Sequence, residues 1–175
     1  MFVGRYDNSI DDNNRMFMPS KYCEDFDVYR IEGKPETAEK QTKPGKLRKD
    51  YEGKCVIVHG AEHCLYAFTL QGWENFIEEL NVLPDDDENI RDLLRHYYTS
   101  ASYCDIDKQG RVTIPPIARE YAGIVRELAT VGMNKLVEIW DRKTYERTIS
   151  GKDVKALSNY ASQLKRGAAA HKTNA

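Results

Sequence analysis

Two stretches of the chain carry the same residues at the same spacing. Ile10, Asp11, Arg15 and Pro19 lie in "SIDDNNRMFMPS" (residues 9–20), and Ile106, Asp107, Arg111 and Pro115 lie in "DIDKQGRVTIPP" (residues 105–116). Both read I-D-x-x-x-R-x-x-x-P. An aspartate and an arginine on either side of a turn suit two kinds of chemistry. The carboxylate can accept the turn N–H groups or pair with the guanidinium. A turn arginine can instead donate to a base edge, guanine being its commonest target in the major groove. Gly110 permits the positive φ of a tight turn, and Asn14 at the matching place is the next most tolerant residue. Duplication preserves a stapled turn as well as a binding one, so repetition alone argues for fold.

Other chemistry is thinly represented. "CVIVHGAEHC" places Cys55, His59, His63 and Cys64 within ten residues. The spacing fits no common structural zinc pattern, and a strand through residues 55–58 would turn the side chains apart. No G-x-S-x-G, phosphate-binding loop or H-E-x-x-H is present. The acids Asp85–Asp87 read as a helix cap. The expectation is a non-enzyme with no cofactor, no metal and no catalytic residue.

The elements that position the two motifs follow from periodicity. Val112 and Ile114 alternate with Thr113 as in a half-buried strand, and Pro115 and Pro116 end that strand and open a short helix, "PIAREYAG", which Gly123 closes. Each motif is followed by a hairpin and a helix: "CVIVHGAEHCLYAFTLQGWENF" (residues 55–76) and "ELATVGMNKLVEIWDRKTYERT" (residues 127–148). Gly60 and Gly132 are expected in the two turns, with Trp73 and Tyr145 at matching places in the helices. The chain thus reads as two copies of one hairpin-plus-helix unit.

The expected division is a first copy over 1–80, a connecting helix over 81–101, a second copy over 102–150, and a C-terminal helix with a frayed tail over 151–175. In the connecting helix Ile90, Leu93, Leu94, Tyr97 and Tyr98 form one stripe. In the last helix Val154, Leu157, Ala161 and Leu164 do the same. The first copy carries an insertion near 32–54 with the composition of a solvated loop. Its basic run "KQTKPGKLRK" (residues 40–49) could add phosphate affinity without sequence discrimination.

At 175 residues the chain can bury a sizeable core as one large domain or two small ones. A net charge of −2 advertises no polyanion partner, so any nucleic-acid reading must rest on local charge. No long apolar stretch marks an export signal or a membrane span. The four cysteines are therefore expected as reduced thiols in a cytosol.

"MFVGRYDNSIDDNNRMFMPSKY", "DIDKQGRVTIPPIAREYAG" and "VGMNKLVEIWD" together resemble the MraZ proteins, in order and spacing along nearly the whole chain. The resemblance implies an α+β fold, a pseudo-two-fold β-barrel of two tandem swapped-hairpin units of the AbrB and MraZ kind with flanking helices. It also implies a sequence-specific DNA-binding transcriptional regulator of the division and cell-wall gene cluster, cytoplasmic and nucleoid-associated. Such proteins bind repeated promoter boxes in double-stranded DNA as ring-shaped homo-oligomers, and the rotation that relates subunits of a ring makes direct repeats the expected form; no membrane partner is expected. Arg15 would then reach a base edge, with Asp11 holding its loop. Arg111 and Lys108 would support the second DNA-binding loop, which also holds Asp107, and the two cations would touch phosphate. Two departures stand out: Asn14 sits where the family usually has glycine, and the insertion near 32–54 has no place in its pattern. The alternative is a structural assembly protein whose D-x-x-x-R loops make only subunit contacts.

Overall fold

A computed structural model describes residues 1–23, 25–30, 51–84 and 86–173, without the side chains of 27–30, 51–52 and 166–173. The expected insertion near 32–54, with its basic run, lies outside the described residues as far as residue 50. From Tyr51 onward the chain is already a strand.

Strands β1 (Phe2–Ser9) and β2 (Arg15–Phe17) flank the first motif turn, and the short helix α1 (Ser20–Cys23) follows. Next come β3 (Asp27–Arg30), β4 (Tyr51–His59), β5 (Leu65–Phe68) and the helices α2 (Leu70–Asn81) and α3 (Glu88–Ser100). The second motif lies between β6 (Ser102–Ile106) and β7 (Arg111–Thr113), ahead of α4 (Pro116–Tyr121). Strands β8 (Glu127–Asn134) and β9 (Val137–Asp141) and helices α5 (Arg142–Ile149) and α6 (Val154–Thr173) complete the order.

Eight strands form an antiparallel path β1-β8-β9-β5-β4-β6-β7-β2, with β3 pairing off it against β4. The path closes through the Ile10–Met16 bridge and a hydrogen bond from Asn8 Nδ2 to the Phe17 carbonyl. The result is a nearly closed antiparallel barrel, with α2, α3 and α4 packed against β4. Exchanging β1 with β6, β2 with β7, β4 with β8 and β5 with β9 returns the same circuit read backwards. That is the signature of a pseudo-two-fold axis. Each strand before a motif pairs with the hairpin of the other half, β1 with β8 and β6 with β4.

Sequence pattern explains why β4 can sit where it does. Cys55 and Ile57 face the barrel interior with Met16, Ile106, Val112 and Leu128. Val56 and Val58 face outward into a second cluster with Phe68, Trp73, Ile77 and Tyr97. Both faces are covered, so the run is apolar at consecutive positions. Burying one such Val, Ile or Phe side chain is worth roughly 1.5–3 kcal/mol. Thr69 caps α2 by accepting from Gly72 N at 2.8 Å, and Asp87 caps α3 by accepting from Asn89 N at 2.8 Å. Of the α3 stripe only Tyr97 is buried; Leu93 and Tyr98 are exposed.

Gly132 departs from expectation. It lies inside β8, opposite Gly4 and Val137, while the turn beyond it carries positive φ at Asn134. A Cβ on Gly132 would fall 2.8 Å from the Phe2 carbonyl oxygen, so the closeness of β1 is what requires glycine there.

The chain divides into two compact units, Met1–Thr144, which holds the barrel, and Tyr145–Ala175. In the second unit α6 runs through Gly167 to Thr173, beyond the point where fraying was expected. Val154, Leu157, Tyr160 and Leu164 on it are exposed. Among the described residues no helix is long and apolar enough to cross a membrane.

Candidate nucleic-acid interface

The two motif turns have one geometry. Asp11 Oδ1 accepts the N–H groups of Asn13 and Arg15, each at 2.9 Å, and its Oδ2 takes Arg15 Nε and Nη2 at 2.9 Å. Asp107 Oδ1 accepts from Gln109 N at 2.8 Å and Arg111 N at 2.9 Å, and its Oδ2 takes Arg111 Nε at 2.8 Å and Nη2 at 2.7 Å. The two roles the sequence offered each aspartate, turn acceptor and ion-pair partner, are filled together. Positive φ falls at Asn14 (59°) and Gly110 (77°), the matching positions.

These bonds set the charge state. Asp11 lies below the ordinary aspartate value, chiefly through the Arg15 backbone N–H, with the Arg15 side chain and the Asn13 N–H adding to it. Burial alone would raise Asp107, but the Arg111 backbone and side chain and the Gln109 N–H together hold it low as well. Both carboxylates therefore stay ionised at neutral pH and keep their arginines oriented.

The strands leaving the turns pair with each other. Arg15 stands opposite Thr113, Met16 opposite Val112, and Phe17 opposite Arg111. Two further bonds extend the symmetry: Ile114 N donates to the Asn14 carbonyl and Met18 N to the Gly110 carbonyl, both at 2.8 Å. Met16 and Val112 are fully buried. Side chains alternate across a strand, so Arg15, Phe17, Arg111 and Thr113 share the outward face of one two-stranded ribbon. The structure thus brings together the two arginines that the sequence placed in separate loops. Lys108 is exposed at the tip of the second turn, and Asp12 and Asn13 are exposed at the tip of the first.

An arginine fork has two usable edges. Each aspartate occupies the Nε–Nη2 edge of its partner, which leaves Nη1 with the outer side of Nη2 as the pair able to bridge two acceptors. The side chains of Arg15 and Arg111 are 35% and 26% exposed. The major groove of DNA admits a two-stranded β-ribbon as a class.

Sequence reasoning missed Arg119. From α4 it donates to Asn14 Oδ1 and the Val125 carbonyl, and its Nε to the Ile124 carbonyl at 2.8 Å, so it braces the first turn from the other half. Its equivalent in the first half is Cys23, which lies under Gly110 and donates to the Met18 carbonyl. No spacing rule links Arg119 to a turn so far away in sequence. Phe17 was also missed, although the inward turn of Met16 and Met18 already implies that it points outward.

The histidine and cysteine cluster is otherwise engaged. His59 stacks on Tyr121 at 3.9 Å, and Tyr121 Oη donates to the Gly60 carbonyl at 2.6 Å. Burial, with His96 nearby, lowers the His59 imidazole below its ordinary value. Cys55 and Cys64 are buried free thiols, both pushed up by burial, Cys64 to about 12. Among the described residues no group of three His, Cys, Asp or Glu side chains could hold a metal ion.

Residues 97–165 match the MraZ family model, described as "MraZ protein, putative antitoxin-like". The matched stretch contains Asp107, Lys108, Arg111 and Arg119 and ends within α6. Asp11 and Arg15 lie outside it, but their turn repeats the geometry of the matched one bond for bond. The MraZ match, a regulator-type family, fits the barrel described above and supports the resemblance seen in the sequence.

Proposed function

We propose that this protein is a sequence-specific DNA-binding regulator of transcription that reads the major groove with the β2–β7 ribbon. One observation supports the reading: two arginines, each fixed by its own ionised aspartate, stand diagonally across one outward face. Fixing a guanidinium before contact reduces the ordering cost of binding, and its free edge matches guanine O6 and N7. Arg15 and Arg111 are the base-reading residues, Asp11 and Asp107 their orienting partners, and Lys108 a phosphate contact. The two halves, 1–80 and 102–150, act as copies of one unit around the ribbon.

With a net charge of −2, one subunit offers little attraction to DNA, so several subunits act together on repeated boxes. A closed ring presents its ribbons by rotation, and such a ring meets direct repeats. The division and cell-wall gene cluster is the proposed target, and the nucleoid the proposed location. Titration of the purified chain with promoter duplex from its own gene neighbourhood, against a scrambled duplex, tests the reading. The promoter should bind at least tenfold tighter; equal affinity overturns the assignment.

A second reading, a structural assembly protein, draws on Val3 and Met133. They face each other across β1 and β8 and are both more than half exposed, an apolar pair suited to a subunit contact. Assembly that persists with no DNA preference in the same titration would favour it.

A further inference from the structure

The ribbon face is symmetric in its arginines and asymmetric in what stands beside them. Phe17 occupies in the first half the position that Thr113 occupies in the second, since each lies two residues beyond its stapled arginine and opposite the other arginine's strand. Phe17 is 55% exposed. The interior beneath it is filled by Met16 and Met18, so the barrel does not use the ring, while Asn8 fixes the Phe17 backbone through its carbonyl. An aromatic side chain held open between two oriented guanidinium groups is poorly explained by folding alone.

We infer that Phe17 is a specificity-determining residue, packing against the C5-methyl group of a thymine next to the guanines met by Arg15 and Arg111. This rests on the DNA-binding reading given above. Thymine presents the one methyl group in the major groove, and phenylalanine is among the side chains that contact it. Phe17 lies roughly 6.6 Å along the strand from Arg15 and about 4.8 Å across from Arg111. Those distances correspond to one or two base-pair steps of about 3.4 Å. The smaller Thr113 cannot reach equally far on the other side. The face therefore has a direction, and a box read by it is not its own reverse complement. Neighbouring copies related by rotation then read boxes in the same sense, as direct repeats.

The experiment uses the full chain and a short labelled duplex that it enriches from a randomised pool. Each thymine of the enriched box is replaced in turn by deoxyuridine, which removes only the methyl group. At one position within two base pairs of a guanine, the wild type should lose about fourfold in affinity, the worth of one buried methyl. Phe17→Ala should bind thymine and deoxyuridine duplexes alike, and Phe17→Leu should keep part of the difference. No sensitive thymine in the wild type, or an undiminished difference in Phe17→Ala, overturns the inference while leaving DNA binding intact. If the chain enriches no duplex at all, the DNA-binding reading falls first and this one with it. Should Phe17→Ala fail to fold by circular dichroism, the wild-type substitution series together with Phe17→Leu still decides.

Discussion

The first and second motif turns share every backbone and side-chain bond of the staple, yet their tips are built from different residues. Asp12-Asn13-Asn14 crowns one, and Lys108-Gln109-Gly110 crowns the other. Counting Asp11 and Arg15 with the first and Asp107 and Arg111 with the second, the first turn carries one net negative charge and the second one net positive charge. Asn14 holds its positive φ with help from Arg119, whereas Gly110 needs none and rests above Cys23. The shared part is what folding requires of a strand-to-strand turn. The differing part is where, on the proposed reading, each turn would meet DNA in its own way.

The comparison breaks most visibly at the arginines. Arg15→Ala should lower affinity for the promoter box by roughly 1–3 kcal/mol per contact, multiplied where several subunits bind together, with the fold intact. Arg111→Ala should do the same, since both turns are proposed to read bases; a change confined to a shallower salt dependence would instead assign the second turn to phosphate. Fluorescence anisotropy at two salt concentrations separates these outcomes.

Next in size is the backbone at the tip. Gly110→Val places a β-branched residue at φ 77°, with its Cβ 3.4 Å from Cys23 Sγ. It should cost about 1–3 kcal/mol of stability, read as a lowered midpoint in urea. Asn14→Gly relaxes the backbone but removes an acceptor from Arg119. A net change below about 1 kcal/mol is expected.

Acid titration sharpens the staples. Both aspartates have folded-state values below the ordinary carboxylate range, so their contribution is present above an unfolded value of about 3.9 and is lost as pH falls through the lower folded one. Asp107→Asn should lower the melting temperature at neutral pH and shrink its drop below about pH 4. An equal drop in variant and wild type would mean that the staple does not contribute to the acid limit.

The smallest effect concerns charge at the tips. Asp12→Lys should steepen the slope of log affinity against log salt by about one, and Lys108→Asp should make it shallower by a similar amount. Unchanged slopes would place both tips away from phosphate.

Much of the staple was legible in sequence because it is local: Asp and Arg four residues apart, a turn-tolerant residue between them and proline at the strand end all act within one turn. The swapped pairing was legible only through the family resemblance, not through the residues themselves. Nothing in the alternation of Met16 and Met18 says that the neighbouring strand is β7 from the other half. Gly132 looked like a turn residue because glycine commonly marks turns. Its actual cause, the approach of Phe2 and Val3, comes from the far end of the chain. Arg119 was hidden for the same reason. The face that joins Arg15 to Arg111 was beyond reach until the register was known.

The pairing of β1 with β8 bears on how the molecule comes into being. Phe2 pairs within a ladder whose other strand ends at Asn134, so β1 has no partner in that ladder until most of the barrel has been synthesised. Contacts this distant in sequence slow folding. Unpaired strand edges meanwhile invite association with other nascent chains. A polysome carrying several copies would bring such edges close together, where pairing with a neighbouring chain competes with pairing to β8.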